Sequence, residues 1–181
     1  SDREAVTGRM ARLDIDSSTP VIVDAGALLH TPELPGAKIL TPHQGELDKV
    51  AATLGLARPT PVETALEVAS RWKVVVYLKG HTSTVCTPDG VAYELDEATP
   101  WLASAGTGDV LAGIMGGLCA LNHSTPTTTS SLARLAAGAD VIHAAAAKRA
   151  SELAGGGVPG PLTASAVAKE VAPIIARLAR A

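Results

Sequence analysis

Three short segments of this 181-residue chain hold residue types and spacings that can do chemistry. Ala103-Ser-Ala-Gly-Thr-Gly-Asp109 leads small residues straight into an apolar helical stripe that starts at Val110. The glycines let backbone N–H groups turn toward a ligand, and the helix N-terminus behind them carries partial positive charge. Gly106, Thr107 and Gly108 therefore predict an anion cradle, with phosphate as its guest. Asp109 falls in the first helical turn, where the dipole favours a carboxylate. Beside a bound phosphate, the same carboxylate can take a proton from an attacking hydroxyl. A tight turn followed by an ordinary helix acid uses the same residues, so this segment gains meaning from its companions.

Lys79 and Gly80 follow the apolar run Lys73-Val-Val-Val-Tyr-Leu78 and precede His81, Thr82, Ser83 and Thr84. A lysine charge, backbone N–H groups and hydroxyls at a strand end suit the phosphates of a nucleotide, and an exposed turn is the plain alternative. Thr41-Pro-His43-Gln-Gly-Glu46 places an imidazole and a carboxylate just past another strand end. His43 can hold a polar substrate and Glu46 can orient metal-bound water. Taken alone, such a histidine more often stabilises a loop and such a carboxylate is more often a first-turn helix acid.

The elements that would position these loops are legible in the apolar pattern. Pro20–Asp24, Ala37–Pro42 and Lys73–Leu78 read as strands buried on both faces of a parallel sheet. Thr84–Thr87 and Val91–Leu95 flank Pro88-Asp89-Gly90 as a hairpin, which predicts an antiparallel margin. Helices are expected over 46–56, from the capping box Thr60-Pro-Val-Glu63 to Trp72, and over 109–121. Two more are expected over 131–153 and 163–180, the last kinked or broken at Pro173. Strands alternating with helices, then a helical C-terminal third, describe an α/β layered fold. Ligands of such sheets gather at the carboxyl ends of the strands, where all three segments lie.

Composition narrows the function. A net charge of −3 leaves no basic footprint for a duplex, and 2% aromatics with no Phe leave little to stack on bases, which argues against nucleic acid. No apolar run reaches the length of a membrane span. Cys86 and Cys119 form no CxxC pair, which fits a reducing compartment and a cytoplasmic address. Cys119 and His143 read as packing residues in helices, Trp72 and Trp101 as cover for the core, and His30, His81 and His123 as loop residues.

The three segments, in this order, resemble the ADP-dependent NAD(P)H-hydrate dehydratases of the ribokinase-like superfamily. Leu40-Thr-Pro-His-Gln-Gly-Glu46 is similar to the family's LTPHPGE, Leu78-Lys-Gly80 through Pro88-Asp-Gly90 to its LKG…TPDG, and Ala105-Gly-Thr-Gly-Asp-Val-Leu-Ala-Gly113 to its GGTGDVLAG. Val21-Ile-Val-Asp-Ala25 also resembles a family strand ending in DADAL. Ala105, Gln44, Gly26 and the pair His81-Thr82 depart from the usual residues. The resemblance spans roughly Pro20 to Ala181.

The resemblance implies a three-layer α/β/α fold with a mostly parallel central sheet. It implies that His43 and Asp109 contact a hydrated nicotinamide nucleotide, with Asp109 as the base. Lys79, Gly80, His81, Thr82, Ser83 and Gly108 would contact ADP, the phosphoryl donor, and Glu46 would order Mg2+ through water. Dehydration of hydrated NADH or NADPH would then give the working cofactor, AMP and phosphate. A homo-oligomer, such as a tetramer, is the implied assembly. Family members carry further strands and a Gly-rich substrate loop before the position of Val21, and Ser1 to Thr19 does not resemble them. The expectation is a single domain over 1–181 without its N-terminal third. Two other readings use the same residues: a ribokinase-like kinase for a vitamin-precursor or sugar hydroxyl, and a non-catalytic adenine-nucleotide-binding module.

Overall fold

A computed structural model of the chain describes residues 15–57, 59–95, 98–124 and 127–180. The apolar runs form β1 (Val21–Val23), β2 (Lys38–Leu40), β3 (Val75–Leu78), β4 (Thr84–Cys86) and β5 (Ala92–Glu94), hydrogen-bonded in that spatial order. β1, β2 and β3 run parallel, with Ile22 beside Ile39 and Ile39 beside Val75. β4 and β5 return antiparallel, Tyr77 opposite Val85 and Val85 opposite Tyr93. The sheet is thus parallel where the sequence is most uniformly apolar and antiparallel at the hairpin margin.

Alternation along the strands sends successive side chains to opposite faces. Ile39, Val75, Tyr77 and Val85 pack into a core with α3 (Thr107–Leu121), α4 (Thr129–Ala154) and α5 (Ala164–Leu178). Val23, Leu40, Val76, Leu78 and Cys86 pack into a second core with α1 (Gln44–Thr53) and α2 (Pro61–Trp72). Two cores on one sheet make three layers, α/β/α, as expected.

Local signals fix the helix starts. Thr60 Oγ1 accepts the Glu63 N–H at 3.2 Å while Glu63 Oε2 accepts the Thr60 N–H at 3.1 Å, with Pro61 in the first turn. Thr128 and Ser131 make the same reciprocal pair for α4. Helix α3 begins at Thr107, so Asp109 is its third residue.

Three features differ from the sequence expectation. Residues Ala25–Glu33 form a 3₁₀ segment between β1 and β2 that buries Leu28, His30 and Thr31, and His30 faces Glu33 at 3.2 Å. His43 lies not in a free loop but at the N-cap of α1, which starts two residues earlier than the spacing indicates. Pro173 neither breaks nor ends α5, which is continuous from Ala164 to Leu178. Both Pro173 and Lys169, whose carbonyl loses its helical partner, are on the exposed side, where the freed oxygen is open to solvent rather than to the core.

Among the described residues no helix is long and apolar enough to cross a membrane. Met115 is fully buried in the α3 core, whereas Thr60 is exposed and acts through its cap. Met115→Ala is expected to destabilise the fold by about 2–5 kcal/mol and Thr60→Ala by about 1 kcal/mol in denaturant titration.

Candidate functional site

The carboxyl ends of β1, β2 and β3 lie side by side, and each delivers a charged group. Asp24 follows β1, Lys79 follows β3, and Glu46 is in the first turn of α1 beyond β2. A bridge between His43 and Lys79 extends the parallel pairing past β2 and β3, and the Lys79 N–H donates to the Pro42 carbonyl at 2.8 Å. The Lys79 ammonium donates to Asp24 Oδ1 at 2.9 Å and stands 3.6 Å from Glu46 Oε2. These side chains are about four-fifths withdrawn from water, 23% exposed for Lys79 and 19% for each acid. Burial raises the Asp24 pKa, but bonds from Lys79 and Thr41, the Lys79 charge and the Ala25 N–H together hold it below the ordinary carboxylate value.

Above this ion cluster stands the N-terminus of α3. Gly106 is the N-cap with φ 84°, a left-handed conformation that suits glycine, and a Cβ there would also press to 3.2 Å from the Ala164 Cβ of α5. Thr107 is buried, and its hydroxyl donates to the Leu102 and Ser104 carbonyls at 2.7 and 2.8 Å. The Thr107 and Val110 N–H groups find backbone acceptors in Ser104 and Gly106. The Gly108 and Asp109 N–H groups find none in the preceding loop among the described residues, and no side chain caps the helix. A Cβ on Gly108 would stand 3.6 Å from Lys79 Nζ and 3.9 Å from Asp24 Oδ2. Two N–H donors without a partner among the described residues, a helix dipole and an ammonium thus meet at one point, an arrangement that suits an anion.

This point opens into a cleft of about 370 Å³ lined by Lys79, Gly80, His81, Ser83, Thr107 and Gly108, with Tyr77, Asp140 and His143 on its inner wall. A second cavity, about 450 Å³, shares His81, Ala98, Thr99 and Pro100 with it and runs along α4 to Lys148. The two cavities adjoin, each is of small-ligand size, and Lys79 puts a charge at the wall of the first. On the inner wall, Tyr77 donates its hydroxyl to Asp140. Burial, then the Asp140 charge and hydrogen bond, raises the phenol pKa and keeps it protonated.

The structure gathers Lys79, Gly80, His81, Ser83, Thr107 and Gly108 on the cleft and leaves Thr82 outside its lining. Glu46 and Asp24 border it through Lys79. His43 is 59% exposed at the rim, where Nδ1 accepts the Glu46 N–H at 3.3 Å and the His43 N–H donates to Glu46 Oε2 at 2.9 Å. The histidine therefore caps α1 whatever else it does. Asp109 is exposed and makes no hydrogen bond or ion pair with a described residue. Asp24, Asp140 and His143 join the site without having been singled out for it. For Asp24 the signal was present, an acid directly after a buried parallel strand, at the edge where ligands bind.

Among the described residues no three His, Cys, Asp or Glu side chains cluster as a metal cage. The hard oxygens of Asp24 and Glu46, both turned to one cation, do fit Mg2+, which is usually held by one or two carboxylates with phosphate and water.

The family model described as NAD(P)H-hydrate dehydratase matches residues 5–169. The chain is 37% identical over 109 residues to the ADP-dependent (S)-NAD(P)H-hydrate dehydratase of Bacillus subtilis, covering 58% of this chain and 40% of that protein. The crystal structure of the ADP/ATP-dependent NAD(P)H-hydrate dehydratase from Bacillus subtilis, co-crystallised with ATP/Mg2+, superposes with a TM-score of 0.69 at 27% identity. That match covers 97% of this chain and 59% of the other. A ribokinase-like superfamily protein of Enterococcus faecalis superposes with a TM-score of 0.71 at 18% identity, over 97% of this chain and 58% of that one, which identifies the fold. The chain therefore spans between two fifths and three fifths of the relatives just described. The fold is ribokinase-like, and the chain belongs to the NAD(P)H-hydrate dehydratase family.

Proposed function

We propose that the chain carries the nucleotide-binding and phosphoryl-transfer half of an ADP-dependent NAD(P)H-hydrate dehydratase. The observation that carries this reading is the meeting of the Lys79 ammonium with the free Gly108 and Asp109 N–H groups at the mouth of a nucleotide-sized cleft. Lys79 and the start of α3 receive the terminal phosphates of ADP, while Gly80, His81, Ser83 and, from the adjoining turn, Thr82 line the approach to the rest of the nucleotide. Gly106, Thr107 and Gly108 shape the cradle.

Asp109 is the base. Its carboxylate is exposed and has no partner among the described residues, third along the helix whose N-terminus holds the phosphates, so it can take the proton from the hydroxyl of the hydrate as that oxygen attacks phosphorus. Elimination of the phosphorylated oxygen then leaves NAD(P)H, AMP and phosphate. His43 holds the nicotinamide substrate at the rim with the exposed part of its ring. Glu46, joined by Asp24, holds Mg2+ through water, and the ion when bound supplies charge neutralisation at the phosphates. We also assign the chain to a reducing, cytoplasmic setting, supported by the buried free thiols of Cys86 and Cys119. A homo-oligomer is the assembly favoured by the exposed apolar side chains of Leu121, Val141 and Leu178.

The direct test is the recovery of reduced-nicotinamide absorbance from hydrated NADH, with and without ADP and magnesium. ADP-dependent recovery is expected, and Asp109→Asn should lower its rate by about 10² to 10⁴ while ADP affinity stays close to that of the unmodified chain. No recovery, together with phosphorylation of a small alcohol, would instead assign the chain to the superfamily's kinases. Binding of ADP without turnover of either kind would leave a nucleotide-binding module. A second expectation concerns the cradle alone. Gly108→Ala meets only ordinary contact distances and removes a helical glycine, so it should stabilise the fold by about 0.5–1 kcal/mol. Its methyl would crowd the phosphate position, so calorimetry should show ADP binding weakened by about tenfold or more, equivalent to ~1.4 kcal/mol.

A further inference from the structure

Both acids of the ion cluster face the Lys79 ammonium, which stands where a bound cation would stand. It donates to Asp24 Oδ1 at 2.9 Å and lies 3.6 Å from Glu46 Oε2. The same two carboxylates fit Mg2+, so the ammonium occupies the space that an ion between them needs. Glu46 is tied in place, because Oε2 also accepts the His43 N–H at 2.9 Å in the cap of α1. Asp24 follows β1 directly, and its position is set by the pairing of β1 with β2. Lys79 is the movable member, since its charge ends a flexible four-carbon stem.

Two cations share such a place poorly. All three side chains are about four-fifths withdrawn from water, so an ammonium and a divalent ion side by side repel more strongly than exposed charges do. With the ammonium between them the acids present a single net negative charge, and without it a double one. The ammonium also has a second anion place within reach. A Cβ on Gly108 would stand 3.6 Å from Nζ, so a phosphate received at the start of α3 attracts the same charge.

We propose that Lys79 holds divalent metal off Asp24 and Glu46 until a nucleotide phosphate draws the ammonium away, so that metal enters with the nucleotide and not before it. This rests on the reading of the cleft as an ADP site with Mg2+ at the two acids. Until then the ammonium keeps both carboxylates paired, and the exchange of one cation for another strands neither. By linkage, the factor by which nucleotide raises metal affinity is the factor by which metal raises nucleotide affinity.

The test titrates Mn2+, a paramagnetic substitute for Mg2+, into the chain without nucleotide and reads the free ion by electron paramagnetic resonance. The unmodified chain and Lys79→Arg, which keeps the charge, are expected to bind Mn2+ weakly. Lys79→Met should bind it about tenfold more tightly or better, and adding Asp24→Asn should remove that gain, which places the ion at the acids. With saturating ADP the unmodified chain should hold Mn2+ about tenfold more tightly than either the chain or ADP does alone. Equal Mn2+ affinity in the unmodified chain and Lys79→Met would overturn the proposal. Circular dichroism checks that Lys79→Met is folded. If it is not, the unmodified chain decides: Mn2+ held as tightly without ADP as with it overturns the proposal, and tight binding only with ADP upholds it. Failure of the unmodified chain to bind ADP in calorimetry would overturn the nucleotide reading instead, and the nucleotide-free comparison with Lys79→Met still decides whether the lysine holds metal off.

Discussion

Asp24 and Glu46, each four-fifths withdrawn from water, would repel across the mouth of the cleft without the Lys79 ammonium between them. Removing one member of such a cluster strands a buried charge, so the three groups hold one another in place. They also come from three neighbouring parallel strand ends, which makes the register of β1, β2 and β3 a condition of the site. In the proposed function, a bound phosphate would share the ammonium with Asp24 and add the Gly108 and Asp109 N–H groups of α3. The cleft thus has its cation in place before the ligand arrives, and its orientation needs no large rearrangement.

The helical layers support that point from both sides. Glu46 caps α1 through the His43 N–H and faces Lys79 with the same oxygen, so the helix start and the ion cluster share one carboxylate. On the other face, α5 packs Ala164 against Gly106, and Ser104 reaches the Leu162 carbonyl at 3.2 Å. The loop before α3 is therefore clamped by the C-terminal part of the chain. α4 supplies Asp140 to Tyr77, which ties the sheet to that helix through a buried polar contact rather than apolar packing alone.

Much of this was legible from residue order because local and tertiary signals agree. The β-branched runs, the Thr60 capping box and the hairpin at Asp89-Gly90 each depend on short-range physics, and the structure has them where the pattern points. The Gly-Thr-Gly-Asp segment was legible as a helix N-terminus for the same reason. Asp24 carried a local signal as an acid directly after a buried strand, but its pairing with Lys79, fifty-five positions away, has no mark in the sequence. His43 was read for what its ring could bind, although the Glu three residues on marks a capping box with an unusual N-cap residue. Pro173 was overrated as a breaker, since its effect depends on whether the freed carbonyl meets water, and that is set by the face α5 presents. His143 gave no signal beyond a helical histidine, because Tyr77 and Thr107, which share the cleft wall with it, are supplied by other elements.

The central claim is that Lys79 and the start of α3 together receive the terminal phosphoryl group of the nucleotide. The most direct measurement is the affinity of the chain for ADP against AMP, before and after Lys79→Met. The account predicts a preference for ADP that Lys79→Met abolishes while AMP binding persists. An ADP preference of the same size in Lys79→Met would contradict it.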